Sequence, residues 1–143
     1  MLSPVSHAAT PERAAVYRLE PYVVAADVYG EPPHIGRGGW SWYTGSAGWL
    51  YRAALESVLG LRVTQGRTLL ISPCIPAEWP GFRLYYRLPD GATRCEIAVE
   101  NPHGGRQVVA ARLDGDDMPV HDGAACITLP EAGGEYRIEV RLG

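Results

Sequence analysis

Apolar positions along the chain change their period near Gly60. Before it they are dense and spaced as on helices; after it, short alternating segments are separated by turn residues. The stretch "TPERAAVYRLEPYVVAADVYG" opens with Thr10 as an N-cap, Pro11 at the first helical position and Glu12 where the helix dipole favours an acid. A helix is expected from there. Pro21 breaks or kinks the pattern, which predicts a second helical stretch over 22–29 ending at Gly30. A third helix is expected over 46–59, with Leu50, Ala54 and Val58 on one face, Trp49, Tyr51, Ala53 and Leu55 on most of the others, and Gly60 closing it. A helix apolar on nearly all sides requires protein around it.

Beyond Gly60 the segments "LRVTQGRTLLISP", "FRLYYRL", "TRCEIAVEN", "QVVAARLDG", "AACITLP" and "EYRIEVRL" are bounded by Pro-Asp-Gly, Asp-Gly and Gly-Gly turns. Short strands at this spacing predict an antiparallel β-sandwich or jelly roll. Tyr136, Ile138, Val140 and Leu142 alternate with Arg137, Glu139 and Arg141, the mark of a strand with one face buried. The fold class expected is therefore α+β, helices first and a sandwich second.

With 143 residues the chain suits one domain with a real core. A net charge of -3 without any Lys/Arg run excludes a nucleic-acid partner as the working hypothesis. No apolar run approaches the roughly 18 residues of a membrane span, and no basic-then-apolar leader opens the chain, so a cytoplasmic location is expected. Cys74, Cys95 and Cys126 are far apart and odd in number, which predicts small apolar core residues rather than disulfides or a metal clip. His7, His34, His103 and His121 lack ligand spacing and are expected at the surface. Asp114, Asp116 and Asp117 in "DGDDMP" have no glutamate at the twelfth position of a calcium loop and read as a solvated turn.

The densest candidate chemistry is "GRGGWSWYTGSAGW", residues 36–49, with five glycines and three tryptophans. Thr44, Gly45 and Ser46 fall where the third helix begins. Free N–H groups and the positive end of a helix dipole suit a small anion, and a glycine lets it approach the backbone. Trp40, Trp42, Tyr43 and Trp49 offer flat apolar faces of the kind sugars stack on, and Arg37 is the nearby fixed cation. An anion beside a sugar is the chemistry of glycoside phosphorolysis. The residues by themselves leave a second reading open, in which Thr44 or Ser46 is only a cap and the aromatic residues are core.

The run "EPYVVAADVYGEPPHIGRGGWSWYTGSAGWLYRAALESVLGL", with "LLISPCIPAEWPGF" after it, resembles the C-terminal portion of the cellobiose phosphorylase family, glycoside hydrolase family ninety-four. Within that family it is most similar to the phosphorylase-like region of cyclic β-1,2-glucan synthases. The resemblance covers nearly the whole chain and is strongest over 20–82. It implies that residues 1–60 are the last helices of an (α/α)6 barrel and that 61–143 form a C-terminal jelly roll. It also implies that Thr44 and Gly45 bind the phosphate that attacks the anomeric carbon, with Arg37, Trp40, Trp42, Tyr43 and Ser46 as neighbours of the site. Inorganic phosphate is then a co-substrate, no cofactor is needed, and the partners are a β-glucan oligosaccharide or glucose 1-phosphate. The family's general-acid aspartate, and the arginine and histidine of its phosphate site, lie upstream of this stretch; Asp27 and Glu20 do not take the acid's place. Ala26 departs from a sugar-binding glutamine of cellobiose-type members, which argues against cellobiose. The chain is thus expected to be inactive alone, and the parent synthase to be membrane-attached. A competing expectation is a standalone carbohydrate-binding or assembly module, self-associating through exposed apolar helices.

Overall fold

The computed structural model describes residues 3–143. Two compact units divide the chain, one reaching to Ala53 and the other spanning Ala54–Gly143.

In the first unit, a single helical turn, α1 (Pro4–His7), precedes α2 (Pro11–Tyr17). Thr10 caps α2 as the sequence requires: it is extended, and its hydroxyl oxygen accepts the Arg13 N–H at 3.3 Å. Arg18 ends the helix in the left-handed region at φ 57. The helix expected over 22–29 does not form. Val28 instead makes an antiparallel bridge with Gly38, the Ala26 N–H donates to the Trp40 carbonyl at 2.8 Å, and the Tyr29 N–H to the Arg37 carbonyl at 2.9 Å. The β-branched Val23, Val24 and Val28 favour extended backbone, and the glycine-rich arm of 36–39 supplies a partner that a local helix pattern does not anticipate.

The third helix begins at Thr44. α3 (Thr44–Arg52) is α-helical, and Ala53–Val58 continues as a π-helical stretch closed by a Leu59 N–H to Ala54 carbonyl bond of 2.8 Å. Gly60 follows at φ 74, the left-handed residue that ends a helix most cheaply. No residue of α3 is buried, and Trp49 is 70% exposed.

Nine strands build the second unit: β1 (Leu61–Thr64), β2 (Thr68–Ile71), β3 (Gly81–Arg87), β4 (Thr93–Glu100), β5 (Val108–Leu113), β6 (Asp116–Asp117), β7 (Val120–His121), β8 (Ala124–Thr128) and β9 (Gly134–Leu142). They form two sheets, ordered β1-β2-β8-β7 and β3-β4-β9-β5-β6. All six strand-bearing segments read from the sequence are present, the first as the hairpin of β1 and β2. The wholly antiparallel arrangement is corrected: β4 and β9 run parallel, with Ile97 opposite Ile138 and Val99 opposite Val140. A long excursion through β5 to β8 separates them, which is what a parallel pair needs and what strand-by-strand alternation does not reveal. β9 thereby lies between β4 and β5, in the middle of its sheet.

Leu69, Ile71 and Ile127 from one sheet and Ile97, Val99, Ile138, Val140 and Leu142 from the other share one core. Of the cysteines only Cys95 belongs to it; Cys126 is half-buried and Cys74 exposed, so their expected core role is corrected. Burial, then the negative charges of Asp114 and Asp90, pushes the Cys95 thiol up to about 11. His34, His103 and His121 are exposed as expected, while His7 is half-buried and stacks on Tyr17 with ring centres 5.0 Å apart. Among the described residues no helix is long and apolar enough to cross a membrane.

One turn carries a pH dependence. Between β3 and β4, Asp90 accepts the Thr93 hydroxyl at 2.6 Å, the Thr93 N–H at 2.8 Å and the Ala92 N–H at 2.9 Å, and pairs with Arg67 at 3.1 Å. The Thr93 hydroxyl and backbone bonds lead in holding its carboxyl below the ordinary 3.8. A carboxyl depressed by folding adds stability above its unfolded value and loses that stability as pH falls through the folded one. Melting temperature is therefore expected to fall as pH drops from about 5 through the carboxylate range, and less steeply in Asp90→Asn. Identical slopes in the two proteins would remove Asp90 from the account.

Candidate functional site

The loop that delivers the chain to α3 is built from both arms of the 26–40 ribbon. Gly39 lies against the Asp27 carboxylate, which an added Cβ would have to displace. The Asp27 Oδ1 accepts the Trp40 N–H at 3.3 Å. Two residues on, Trp42 takes a left-handed backbone at φ 59, unusual for a bulky side chain, and its indole Nε1 donates to Glu20 Oε1 at 3.0 Å. The Glu20 carboxyl is held below its ordinary value first by its own backbone N–H, then by the Trp42 indole, with Ser41 adding to them against the cost of burial. Glu20 and Asp27 are thus anchors of this loop. Neither role was visible in the sequence, because the contacts span 22 and 13 residues and no local spacing announces them.

Tyr43 occupies the N-cap position of α3, and no side chain caps the helix there. The Ser46 N–H and hydroxyl both turn back to the Tyr43 carbonyl, at 3.1 and 2.8 Å. Thr44 is therefore the first helical residue and does not act as the cap. Gly45 is one residue further in. Its φ is not positive, and an added Cβ would meet only the Tyr43 ring, at 3.6 Å, an ordinary contact. Neither backbone conformation nor packing calls for glycine at that position.

Among the described residues Trp40, Trp42 and Tyr43 are 73%, 68% and 57% exposed. Trp40 and Ser41 line an open depression with Asp27, Tyr29 and Gly39. Arg37 lies in the ribbon opposite Tyr29; among the described residues no hydrogen bond or ion pair joins it to Thr44 or Gly45. Chemically, the arrangement is an exposed helix start with a hydroxyl at its first residue, preceded by aromatic plates. Among the described residues no group of three or more His, Cys, Asp or Glu side chains is placed to hold a metal ion.

Comparison with known proteins puts the chain among carbohydrate-active proteins of the phosphorylase and synthase kind. Residues 1–60 match the family described as "Glycosyl hydrolase 94 superfamily, catalytic domain". The chain belongs to that superfamily, which joins cellobiose phosphorylases and cyclic β-1,2-glucan synthases. It is 53% identical over 104 residues to the cyclic beta-(1,2)-glucan synthase NdvB of Rhizobium meliloti (strain 1021), a match covering 73% of this chain and 4% of that protein. It is 36% identical over 126 residues to the N,N'-diacetylchitobiose phosphorylase of Vibrio furnissii, covering 87% of this chain and 15% of the relative. A 3-O-beta-D-glucopyranosyl-beta-D-glucuronide phosphorylase of Paenibacillus borealis is 35% identical over 114 residues, covering 78% and 14%. The chain thus spans a small part of the length of the relatives it matches.

Proposed function

We propose that this chain is the C-terminal part of an inverting β-glucoside phosphorylase or cyclic β-1,2-glucan synthase, and that it contributes Thr44 and Gly45 to a phosphate site assembled largely from other segments. The observation that carries this reading is Gly45. A glycine that neither its backbone nor its neighbours require offers bare backbone beside a helix start, where N–H groups and the dipole favour an anion. The Thr44 hydroxyl stands next to it, and both match the threonine and glycine of the family's phosphate motif. In the reaction, phosphate attacks the anomeric carbon from the face opposite the leaving group, while a carboxylic acid supplied outside this chain protonates the glycosidic oxygen. Residues up to about Gly60 close an (α/α)6 barrel in this reading, and 61–143 form its jelly-roll companion. The exposed aromatic surface of α3 and its approach loop is then covered by the rest of the barrel and by sugar.

Loss of general acid catalysis costs about 10²–10⁴-fold, and loss of most of the positioning machinery costs more. The purified 143-residue chain is accordingly expected to release no glucose 1-phosphate from β-glucosides, whereas the native protein from its own cells, of much greater mass, does so. Phosphorolysis by the short chain itself, or a native product of 15.5 kDa, contradicts the proposal.

A further inference from the structure

A second feature lies on the sandwich, on the face of the β3-β4-β9 sheet that points away from the core. Tyr86, Cys95 and Tyr136 stand in register across the three strands. Side chains alternate along a strand, so the rows on either side of this one point outward. One row is Tyr85, Glu96 and Arg137; the other is Arg87, Arg94 and Glu135. Between them runs a trough of about 530 Å³, floored by the row of Cys95 and flanked at one end by Asp114. Asp114 is tied in place by the Arg137 N–H, which donates to its Oδ1 at 2.7 Å.

We propose that this trough binds a neutral β-linked glucan segment, laid across the strands with a sugar ring on Tyr85. The Tyr85 ring is 74% exposed on a sheet face otherwise made of charged and small residues, and so presents a flat apolar plate. The lining holds three arginines and three carboxylates, which argues against a polyanion or a polycation as occupant. Opposite charges meet locally as well: Arg94 pairs with Glu135 at 3.5 Å, Arg83 with Glu96 at 3.1 Å and Arg137 with Glu139 at 3.0 Å. Guanidinium and carboxylate groups side by side supply both donors and acceptors, which suits vicinal sugar hydroxyls better than it suits a single charge. The choice of a glucan rests on the carbohydrate reading above, but the trough lies wholly within the second unit and requires neither Thr44 nor Gly45.

The test is a titration of the 143-residue chain with a linear β-1,2-linked gluco-oligosaccharide, followed by backbone amide shifts and calorimetry. Binding at about millimolar Kd is expected, with shifts at 85, 94–96 and 135–137. Tyr85→Ala is expected to weaken it about tenfold, and Tyr85→Phe, which keeps the plate, to restore it. No binding, full binding by Tyr85→Ala, or shifts confined to 40–49 overturns the assignment. Phosphate is titrated separately onto the native protein: a glucan response at the trough with no phosphate response at Thr44 and Gly45 supports this site while overturning the phosphate proposal.

Discussion

In the proposed phosphorylase, Thr44→Ala is expected to slow phosphorolysis about 10²–10³-fold, a margin like that of losing one preorganised oxyanion donor. The structure makes this variant informative because Thr44 is the first residue of α3 and not its cap. Removing its hydroxyl takes no partner from the helix, so melting temperature should hardly move while the rate collapses. Gly45→Ala is the companion. The added Cβ has room against Tyr43, so the fold should tolerate it, whereas an anion lying on the backbone would be pushed away. The expected signature of both is a fall in kcat/KM for phosphate with protein of normal stability. An unchanged rate in Thr44→Ala would return that residue to an ordinary helical position.

Ile138→Ala should cost the sandwich about 2–5 kcal/mol, read as a fall in the urea midpoint of the second unit. Ile138 is fully buried in the middle strand of its sheet, opposite Ile97 on β4 and Leu113 on β5, and truncation leaves a hole that two flanking strands cannot both close. Tyr85→Ala, on the outward face of the same sheet, is the contrast and should change stability by about 0.5 kcal/mol or less. Equal effects from the two would contradict the division into an inner and an outer face.

That division was legible in the sequence. The alternation of Tyr136, Ile138, Val140 and Leu142 needs no partner to be read, and the N-cap of α2 is equally local. What escaped were long-range contacts. The parallel pairing of β4 with β9 depends on where a distant strand inserts. The ribbon of 26–29 with 37–40 overrode a helical pattern because its partner was a glycine-rich arm that looked like loop. At the candidate site the sequence singled out Thr44 and Gly45 correctly as a helix start. It did not find Glu20 and Asp27, which fix the approach to that helix from 22 and 13 residues away.

Phosphate meeting the start of α3 is the central event, and hydrogen–deuterium exchange on the native protein reads it most directly. Exchange in the peptide covering 40–49 is predicted to slow when inorganic phosphate is added, most at the amides of 44 and 45, and to stay fast in Thr44→Ala. Protection confined to other segments, with 40–49 unchanged at saturating phosphate, would contradict it.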